Sequence, residues 1–342
     1  MQDAVNTFDM PLTDLADRDA WLDKVGELTE EDGYTERLGA HHAAILVEQK
    51  PAVLLVTFET HKGIAAISED NQPMGWDLVK ALGWSHLCLV SDGDTWFRDR
   101  AVYGFFDRLA DDGFFEDFEQ VIFYGAGPCG YAAAAFSVAA PGARVVAIQP
   151  QATLDPRIAE WDDRFRAMRR TAFDDRYGYA PDMLDAAERA FVLYDPEIAE
   201  DAMHAALFTR ANVTKFRMRF MAANLDRSLI RMQLLYRILA QVSAGKLDRL
   251  ALARLYRARR SDGGYQFNLL NRLNGGGRHF LTILLARHVL NLRRGRPFRL
   301  AMGEAIEALT EAGKPLPRGI EADTDPGAVG AETRPHAEPD RI

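Results

Sequence analysis

Short apolar runs alternate with helix-like stretches through the middle of this chain, and this alternation most narrows the folds open to it. Six runs have the length and the β-branched and aromatic content of strands. They are AVLLVTF (52–58), HLCLVS (86–91), VIFYG (121–125), VVAIQ (145–149), FVLY (191–194) and VTKFRMRF (213–220). Because helix-like stretches lie between runs, we expect right-handed crossovers and a mainly parallel sheet with helices on both faces. The sequence therefore predicts an α/β fold.

The flanking segments have other patterns. Residues 1–48 are predicted as an N-terminal helical segment, followed by the α/β domain over residues 49–225. The apolar residues that share one predicted helical face are Leu12, Leu15, Trp21, Leu22, Val25 and Leu28. Residues 226–310 predict a basic helical appendage, and residues 311–342 predict a disordered tail because they are rich in proline, glycine and acids.

Composition excludes one class of protein and reveals a division of charge. No apolar run approaches the roughly 18–20 residues that span a bilayer, so an integral membrane protein is not expected. Two cysteines, and an acidic amino terminus without a signal-peptide pattern, indicate the cytoplasm. The net charge of −9 divides into +17 over residues 210–299 and −26 elsewhere. The basic segment either packs against the acidic body or binds an anionic partner, and no clear nucleic-acid motif accompanies it.

The stretch VIFYGAGPCGYAAAAF (121–136) combines a strand, a glycine-rich turn and a helix. Gly125, Gly127 and Gly130 match the dinucleotide-binding pattern G-x-G-x-x-G, in which amides at a helix N-terminus hold a pyrophosphate. Two features oppose that interpretation, since the next strand ends at neutral Gln149 and earlier strands precede the turn. The same local structure also suits the elbow that presents the nucleophile of a hydrolase.

Five segments carry a resemblance that favours the elbow. YGAGPCGYAAAAF (124–136) is similar to the elbow of a bacterial α/β-hydrolase-like family linked to cell-surface polysaccharide genes, whose members read approximately YG-x-Ser-x-GGYAAL. The other segments resemble the same family in the same order, and they are LLVTF (54–58), SDGDTWFRD (91–99), VVAIQPQATLD (145–155) and VLYDP with DAMHAAL (192–207). This resemblance implies an α/β-hydrolase-like three-layer fold.

The elbow departs from the family's pattern at the nucleophile. Gly125 matches the first glycine, Gly127 occupies the serine position and Cys129 replaces the second glycine. Gly130 and Tyr131 continue in register. Glycine has no nucleophilic side chain, so the resemblance implies an elbow without its serine.

The other members of the family's catalytic set are also incomplete. The histidine is expected near residues 221–226, where the sequence reads MAANLD, and the resemblance leaves Asp195, or Asp201 as second choice, as the acid. An active enzyme would then use Cys129 or an unrecognised residue as nucleophile, and for Cys129 the helix N-terminus would lower the thiol pKa while His61, His86 or His204 would supply the base. The alternative is that Cys129 is a packed, unreactive thiol. Cys129, Asp195 and His204 are therefore the candidate catalytic residues.

Further residues are candidates for a ligand site. His61 and Asp92 follow the first two predicted strands, at the sheet edge where α/β proteins bind ligands. Together with Gln151, they join the elbow residues Gly125, Gly127, Gly130 and Tyr131 as expected lining residues. The histidines and cysteines form no recognised metal-binding pattern, so no metal and no cofactor are expected.

Three functions remain open at this point. The first is a non-catalytic binding or accessory protein for a small-molecule or glycan ligand or a protein partner, in surface polysaccharide metabolism. The second is a hydrolase or transferase that acts through Cys129, and the third is an FAD- or NAD-binding oxidoreductase. A phosphoadenosine phosphosulfate reductase is disfavoured because its phosphate loop and its cysteine-containing tail are absent from the sequence.

Overall fold

The computed structural model describes residues 10–13, 17–49 and 52–320. The chain divides into two compact units, Met1–Ala258 and Arg259–Ile342. This boundary lies well after the predicted one at residue 225. The intervening helices belong to the first unit, where the Arg144 guanidinium donates to the carbonyls of Val242 at 2.7 Å and Ser243 at 2.8 Å.

An eight-stranded sheet forms the centre of the first unit. Its strands are β1 (Gly33–Leu38), β2 (His42–Val47), β3 (Val53–Thr60), β4 (Ser85–Ser91), β5 (Gln120–Ala126), β6 (Arg144–Ile148), β7 (Arg189–Tyr194) and β8 (Val213–Arg217). Their order across the sheet is β1-β2-β4-β3-β5-β6-β7-β8. Strand β2 is antiparallel to β1 and β4, whereas β3 to β8 pair in parallel. The six predicted strands are confirmed as β3 to β8.

The prediction of an entirely helical segment over residues 1–48 is wrong. Only α1 (Arg18–Thr29) is helical there among the described residues, and β1 and β2 follow it as two strands of the sheet. Every residue of β2 is buried, so the run HAAILV lacks the alternation that distinguishes a strand from a buried helix. Of the predicted helical face, Leu15 lies outside the described residues, and Leu12 is buried but precedes the helix.

Helices cover both faces of the sheet. Those of the first unit after α1 are α2 (His61–Ile67), α3 (Trp76–Leu82), α4 (Arg100–Asp111), α5 (Pro128–Phe136), α6 (Pro156–Ala159), α7 (Ala180–Met183), α8 (Ala199–Leu207), α9 (Leu225–Arg231), α10 (Leu235–Ser243) and α11 (Arg249–Leu255). Short 3-10 turns occupy Phe114–Asp117, Ser137–Ala139, Arg166–Arg170, Leu184–Ala186 and Tyr256–Ser261.

Two apolar clusters lie on opposite faces of the sheet because successive strand residues point to opposite sides. Leu87 and Leu89 of β4 join the cluster under α4 and α5, and Cys88 joins the cluster under α1 and α3. The first cluster contains stacked aromatic rings, with centroids 4.7 Å apart for Phe106 and Phe136. These faces hold the strands in the register that brings their carboxyl ends together.

The second unit is helical where it is described. It comprises α12 (Gly263–Gly275), α13 (His279–Leu292) and α14 (Arg296–Glu311), which bury Leu270, Val289 and Phe298 among their apolar faces. The start of the predicted disordered tail, at residue 311, is the last residue of α14, and residues 321–342 lie outside the described residues. Among the described residues, no helix has both the length and the apolar content required to cross a bilayer.

Candidate functional site

A cavity of about 410 Å³ opens at the carboxyl ends of the parallel strands. Its wall comes from the end of β3, the turn between β5 and α5, the segment after β6 and the segment after β8. Of the predicted lining residues, Gly127 and Gln151 line it, as does Cys129 from the candidate catalytic set. The turn between β5 and α5 therefore forms part of the cavity wall.

Gly127 has the backbone conformation of a nucleophile elbow. Its φ of 57° and ψ of −123° form a sharp turn from β5 into α5, in a region that residues with side chains adopt only under strain. Its N–H donates to the Ile148 carbonyl at 2.8 Å, and its carbonyl accepts from the Tyr131 N–H at 3.0 Å. These bonds connect the turn to β6 and to its own helix.

The three glycines of this turn are required for different physical reasons. A Cβ on Gly125 would lie 2.1 Å from the Cys129 carbonyl oxygen, and one on Gly130 would lie 3.0 Å from the Ile148 carbonyl oxygen. A Cβ on Gly127 would meet no heavy atom within 4 Å in the described parts of the chain. Gly125 and Gly130 are thus required by close packing, and Gly127 by its backbone angles.

The strand order and this turn together decide the architecture. The sheet has eight strands, and only β2 runs antiparallel to both of the strands beside it. A strained strand-to-helix turn follows β5. These two features together are typical of one fold. The protein has an α/β-hydrolase fold. The resemblance inferred from the sequence is confirmed to this extent.

Comparisons with solved structures gave distant likenesses to hydrolases and an acyltransferase. An esterase domain from Rhodothermus marinus is 14% identical, with 60% of this chain and 96% of that chain covered and a TM-score of 0.35. Est1E from Butyrivibrio proteoclasticus is 9% identical, with 62% and 99% covered and a TM-score of 0.38. The capsule O-acetyltransferase of Neisseria meningitidis serogroup A is 10% identical, with 60% and 94% covered and a TM-score of 0.36. Neither a protein-family model nor a curated protein matched the sequence.

The residue that follows the nucleophile position is Pro128, the first residue of α5. In an α/β hydrolase, the backbone N–H of this residue is one of the two donors of the oxyanion hole. Proline has no backbone N–H. The turn of this hydrolase fold therefore lacks an N–H donor at this position as well as a nucleophilic side chain at Gly127.

Cys129 lies in the first turn of α5 and is only 7% exposed, on the cavity wall. Burial raises the pKa of its thiol well above its usual value, and the carboxyl groups of Glu59, Asp94 and Asp226 raise the pKa further. This direction is opposite to the lowering expected from the helix N-terminus. Desolvation and nearby acids outweigh the helix dipole here, because the dipole contributes less than full burial of a charge.

Asp195 follows β7, at the position predicted for the acid, and is 1% exposed. Its carboxylate accepts from the N–H groups of Met221 at 2.7 Å and Ala222 at 2.8 Å, and from the Glu197 N–H at 3.0 Å. The carboxylate therefore anchors the loop after β8. That loop brings Asn224 to the cavity wall, in the region where the resemblance seen in the sequence led us to expect a histidine.

His204 lies on α8 and is fully buried beside the ring of Trp161. Its Nδ1 accepts from the Ala152 N–H at 3.1 Å, and its Nε2 lies 3.0 Å from a carboxylate oxygen of Asp162. Both ring nitrogens thus have partners, and His204 does not contribute to the cavity wall. Its contacts connect the segment after β6 to α8.

The other predicted lining residues lie around the site in different ways. Gln151 is buried and its side-chain oxygen accepts from the Trp96 indole N–H at 3.0 Å. His61 packs against Trp21, with ring centroids 5.2 Å apart, and burial lowers its pKa. Asp92 is exposed and, like His61, does not line the cavity.

Tyr131 and the two close-packed glycines support the elbow from beneath. The Tyr131 hydroxyl donates to the Tyr177 carbonyl, and the ring is fully buried. Gly125 and Gly130 bring the backbones of β5, β6 and α5 together. None of these three residues contributes to the cavity wall.

The cavity wall also carries charged residues, of which the sequence had indicated Asp94, after the second predicted strand, and Asp201, as the second-choice acid. They are Glu59, Asp94, Asp201 and Asp226 with Arg164 and Arg227. Burial raises the pKa values of Glu59 and Asp226, whereas Asp201 accepts from Arg164 at 2.7 Å and from the Gln149 amide at 2.6 Å. Aromatic rings of Phe58, Tyr124 and Phe165 complete the wall. Glu59 had a usable sequence signal, since it stands at the end of a buried strand.

Proposed function

We propose that this protein is a non-catalytic member of the α/β-hydrolase fold that binds a hydroxyl-rich ligand, a carbohydrate, in the cavity above its elbow. The observation that carries this proposal is the pair Gly127-Pro128 at the elbow. The turn keeps the nucleophile conformation without a nucleophile and without the following N–H donor.

Acyl transfer at this site needs groups that the elbow does not supply. A serine-type mechanism requires a hydroxyl, a base within hydrogen-bond reach of it, and donors for the oxyanion. Cys129 offers a thiol whose raised pKa disfavours the thiolate. His204 uses both ring nitrogens within the protein. These contacts favour binding over catalysis.

The wall of the cavity is suited to a polyhydroxylated ligand. Carboxylates and amides such as Asp94 and Asn224 accept or donate hydrogen bonds to hydroxyl groups, and rings such as Tyr124 and Phe165 offer flat apolar faces. Four acids against two arginines disfavour an anionic ligand. We therefore infer a neutral or amino-substituted sugar, in keeping with the resemblance to proteins of polysaccharide metabolism.

A dinucleotide has less support. The Gln149 side chain, at the position of the ribose-binding acid, donates to Asp201 and accepts from the Leu225 N–H at 3.0 Å. Both of its polar ends are thus used within the protein. The surplus of acids around the cavity also repels a pyrophosphate.

The test is a binding measurement with a matched pair of variants. Isothermal titration and saturation-transfer NMR with neutral, amino and acidic oligosaccharides should detect neutral or amino sugars. Asp94→Asn, on the cavity wall, should weaken binding about tenfold or more, since a hydrogen bond to a charged group contributes about 1.5–3 kcal/mol. Asp92→Asn, exposed and outside the cavity wall, is the control and should bind as the natural protein does.

Other outcomes would overturn the proposal. Turnover of p-nitrophenyl esters that is abolished by Cys129→Ala would show an active enzyme. Tight binding of NAD or FAD, or equal weakening by the two aspartate variants, would show that the ligand or the site has been assigned incorrectly.

A further inference from the structure

A second group of reactive side chains lies beside the cavity, on strands β3 and β4. Thr57 and Glu59 are two residues apart on β3, and His86 and Cys88 are two residues apart on β4, so each pair projects from one side of its strand. Thr57 lies directly opposite Cys88 in the parallel register. One ligand atom from each of Glu59, His86 and Cys88 lies within 4.8 Å of the others.

The contacts within this cluster are already close to those of a coordination sphere. The Cys88 sulfur is 3.4 Å from a carboxylate oxygen of Glu59. Ligand atoms of a tetrahedral zinc site are about 3.3–3.6 Å apart, given bonds of about 2.0–2.3 Å. The Thr57 hydroxyl lies 2.7 Å from a carboxylate oxygen of Glu59 and 2.9 Å from the Nε2 of His86, so it contacts both of these side chains.

The cluster is buried. His86 and Cys88 are 0% exposed. Metals bind the deprotonated forms of these side chains, which are a thiolate, a carboxylate and a neutral imidazole. A divalent cation would balance one thiolate and one carboxylate.

The imidazole is held rigidly beside the other two ligands. A Cβ on Gly75 would lie 2.3 Å from the His86 ring, so the backbone at Gly75 packs directly against it. The Nε2 of His86 is 2.9 Å from the Thr57 hydroxyl, and one of the ring nitrogens lies within 4.8 Å of ligand atoms of Glu59 and Cys88.

We propose that Glu59, His86 and Cys88 form a binding site for a divalent transition-metal ion, with Zn²⁺ as the best fit to their oxygen, nitrogen and sulfur ligands. Three protein ligands leave a fourth position open, as in zinc sites that bind an exogenous ligand. Glu59 also lines the cavity, so an ion reaches the cluster from that side. The Thr57 hydroxyl contacts both Glu59 and His86 and so helps to orient these two ligands.

This site goes beyond the proposed function, since carbohydrate binding by the cavity requires no metal. A metal at Glu59 would nevertheless place its open position toward a bound ligand. Metal content can be measured without any ligand, so failure of one proposal leaves the other standing.

The experiment uses the full-length protein, incubated with Zn²⁺, dialysed and analysed by inductively coupled plasma mass spectrometry. We expect about one zinc per chain, and a thiolate-to-metal charge-transfer band when Co²⁺ replaces Zn²⁺. Glu59→Gln and Cys88→Ser should each reduce the bound zinc at least tenfold, and Thr57→Val should weaken zinc affinity about 10–100-fold. Circular dichroism checks that each variant folds.

Cys129→Ser is the matched control, because it removes the only other cysteine of the sequence and leaves the cluster intact. It should retain both zinc and the cobalt band. Zinc uptake below about a tenth of an equivalent by the natural protein would overturn the proposal. Equal loss of zinc from Cys129→Ser and Cys88→Ser would also overturn the assignment to β3 and β4.

Discussion

The turn at Gly127 predicts a specific response to Gly127→Ser, which places a hydroxyl at the bend between β5 and α5. The new Cβ has room, since no heavy atom of the described residues lies within 4 Å of it. The loss of stability therefore comes from backbone strain at φ 57° and ψ −123°, which amounts to about 1–3 kcal/mol. We expect the urea midpoint to fall accordingly, and the melting temperature to fall by about 2–4 °C for each kcal/mol.

Gly125→Ala is the contrasting variant. Its Cβ would lie 2.1 Å from the Cys129 carbonyl oxygen, so the turn itself would have to move. We expect a loss of more than about 4 kcal/mol or no soluble protein, as for severe steric conflicts in a core. Gly127 is therefore required for its backbone angles, whereas Gly125 is required because its neighbours leave no room for a side chain.

Gly127→Ser should also remain inactive toward p-nitrophenyl acetate. The serine would have neither an N–H donor at Pro128 nor an imidazole from the loop that carries Asn224. Two results would refute the reasoning. One is a Gly127→Ser variant as stable as the natural protein, and the other is esterase turnover at least tenfold above that of the natural protein.

Three further predictions follow from individual contacts. Asp195→Ala leaves the N–H groups of Met221 and Ala222 without their acceptor, and should lower the free energy of unfolding by about 2–5 kcal/mol, measured by urea denaturation; a loss below 1 kcal/mol would contradict this role. Burial lowers the pKa of His42 to about 4 from 6.5, so the unfolded chain binds more protons between these values and stability falls as the pH falls. The His42 contribution should be about 2 kcal/mol between pH 7 and pH 5, and His42→Gln should lose it in parallel urea titrations. The buried Cys129 thiol should react with Ellman's reagent at pH 8 at least tenfold more slowly than a free thiol until denaturant is added, and fast reaction of the native protein would show an accessible thiolate.

The sequence predicted the parallel part of the sheet because each of its strands is a short apolar run bounded by turns. It did not predict β1 and β2. Strand β2 is buried on both faces, so HAAILV shows no alternation, and its alanines also suit a helix. The order of the strands arises from long-range packing, which local periodicity does not encode.

The site was predictable only in part. The glycine pattern located the sharp turn between β5 and α5, and the end of a predicted strand located Asp195 after β7, since both depend on local sequence. The cavity wall depends instead on tertiary contacts, such as those that bring Arg164 to Asp201. The pKa of Cys129 was expected in the wrong direction because the sequence shows the helix start but not the burial.

For the basic segment, residues 210–299, the ion pairs of the arginines bear on whether an external anion binds there. Some acids of the first unit bind arginines close to them in the sequence, as Asp162 binds Arg164 and Asp163 binds Arg166. In the second unit, Arg294, Arg296 and Arg299 are exposed around the turn between α13 and α14. An external anionic partner for residues 210–299 stays a prediction, and salt-dependent binding to acidic polymers would test it.

The dinucleotide-loop and hydrolase interpretations of the glycine-rich turn depend on the same physical feature. A dinucleotide loop and an oxyanion hole both use N–H groups at the start of a helix to hold negative charge. Here Pro128 has no N–H, and the Gly127 N–H donates to the Ile148 carbonyl, so neither of these positions offers a donor to an anion. The acids Asp94 and Asp226 on the cavity wall disfavour negative charge as well. A neutral ligand held by hydrogen bonds meets none of these obstacles, and this favours a hydroxylated ligand over both a phosphate and an acyl oxyanion.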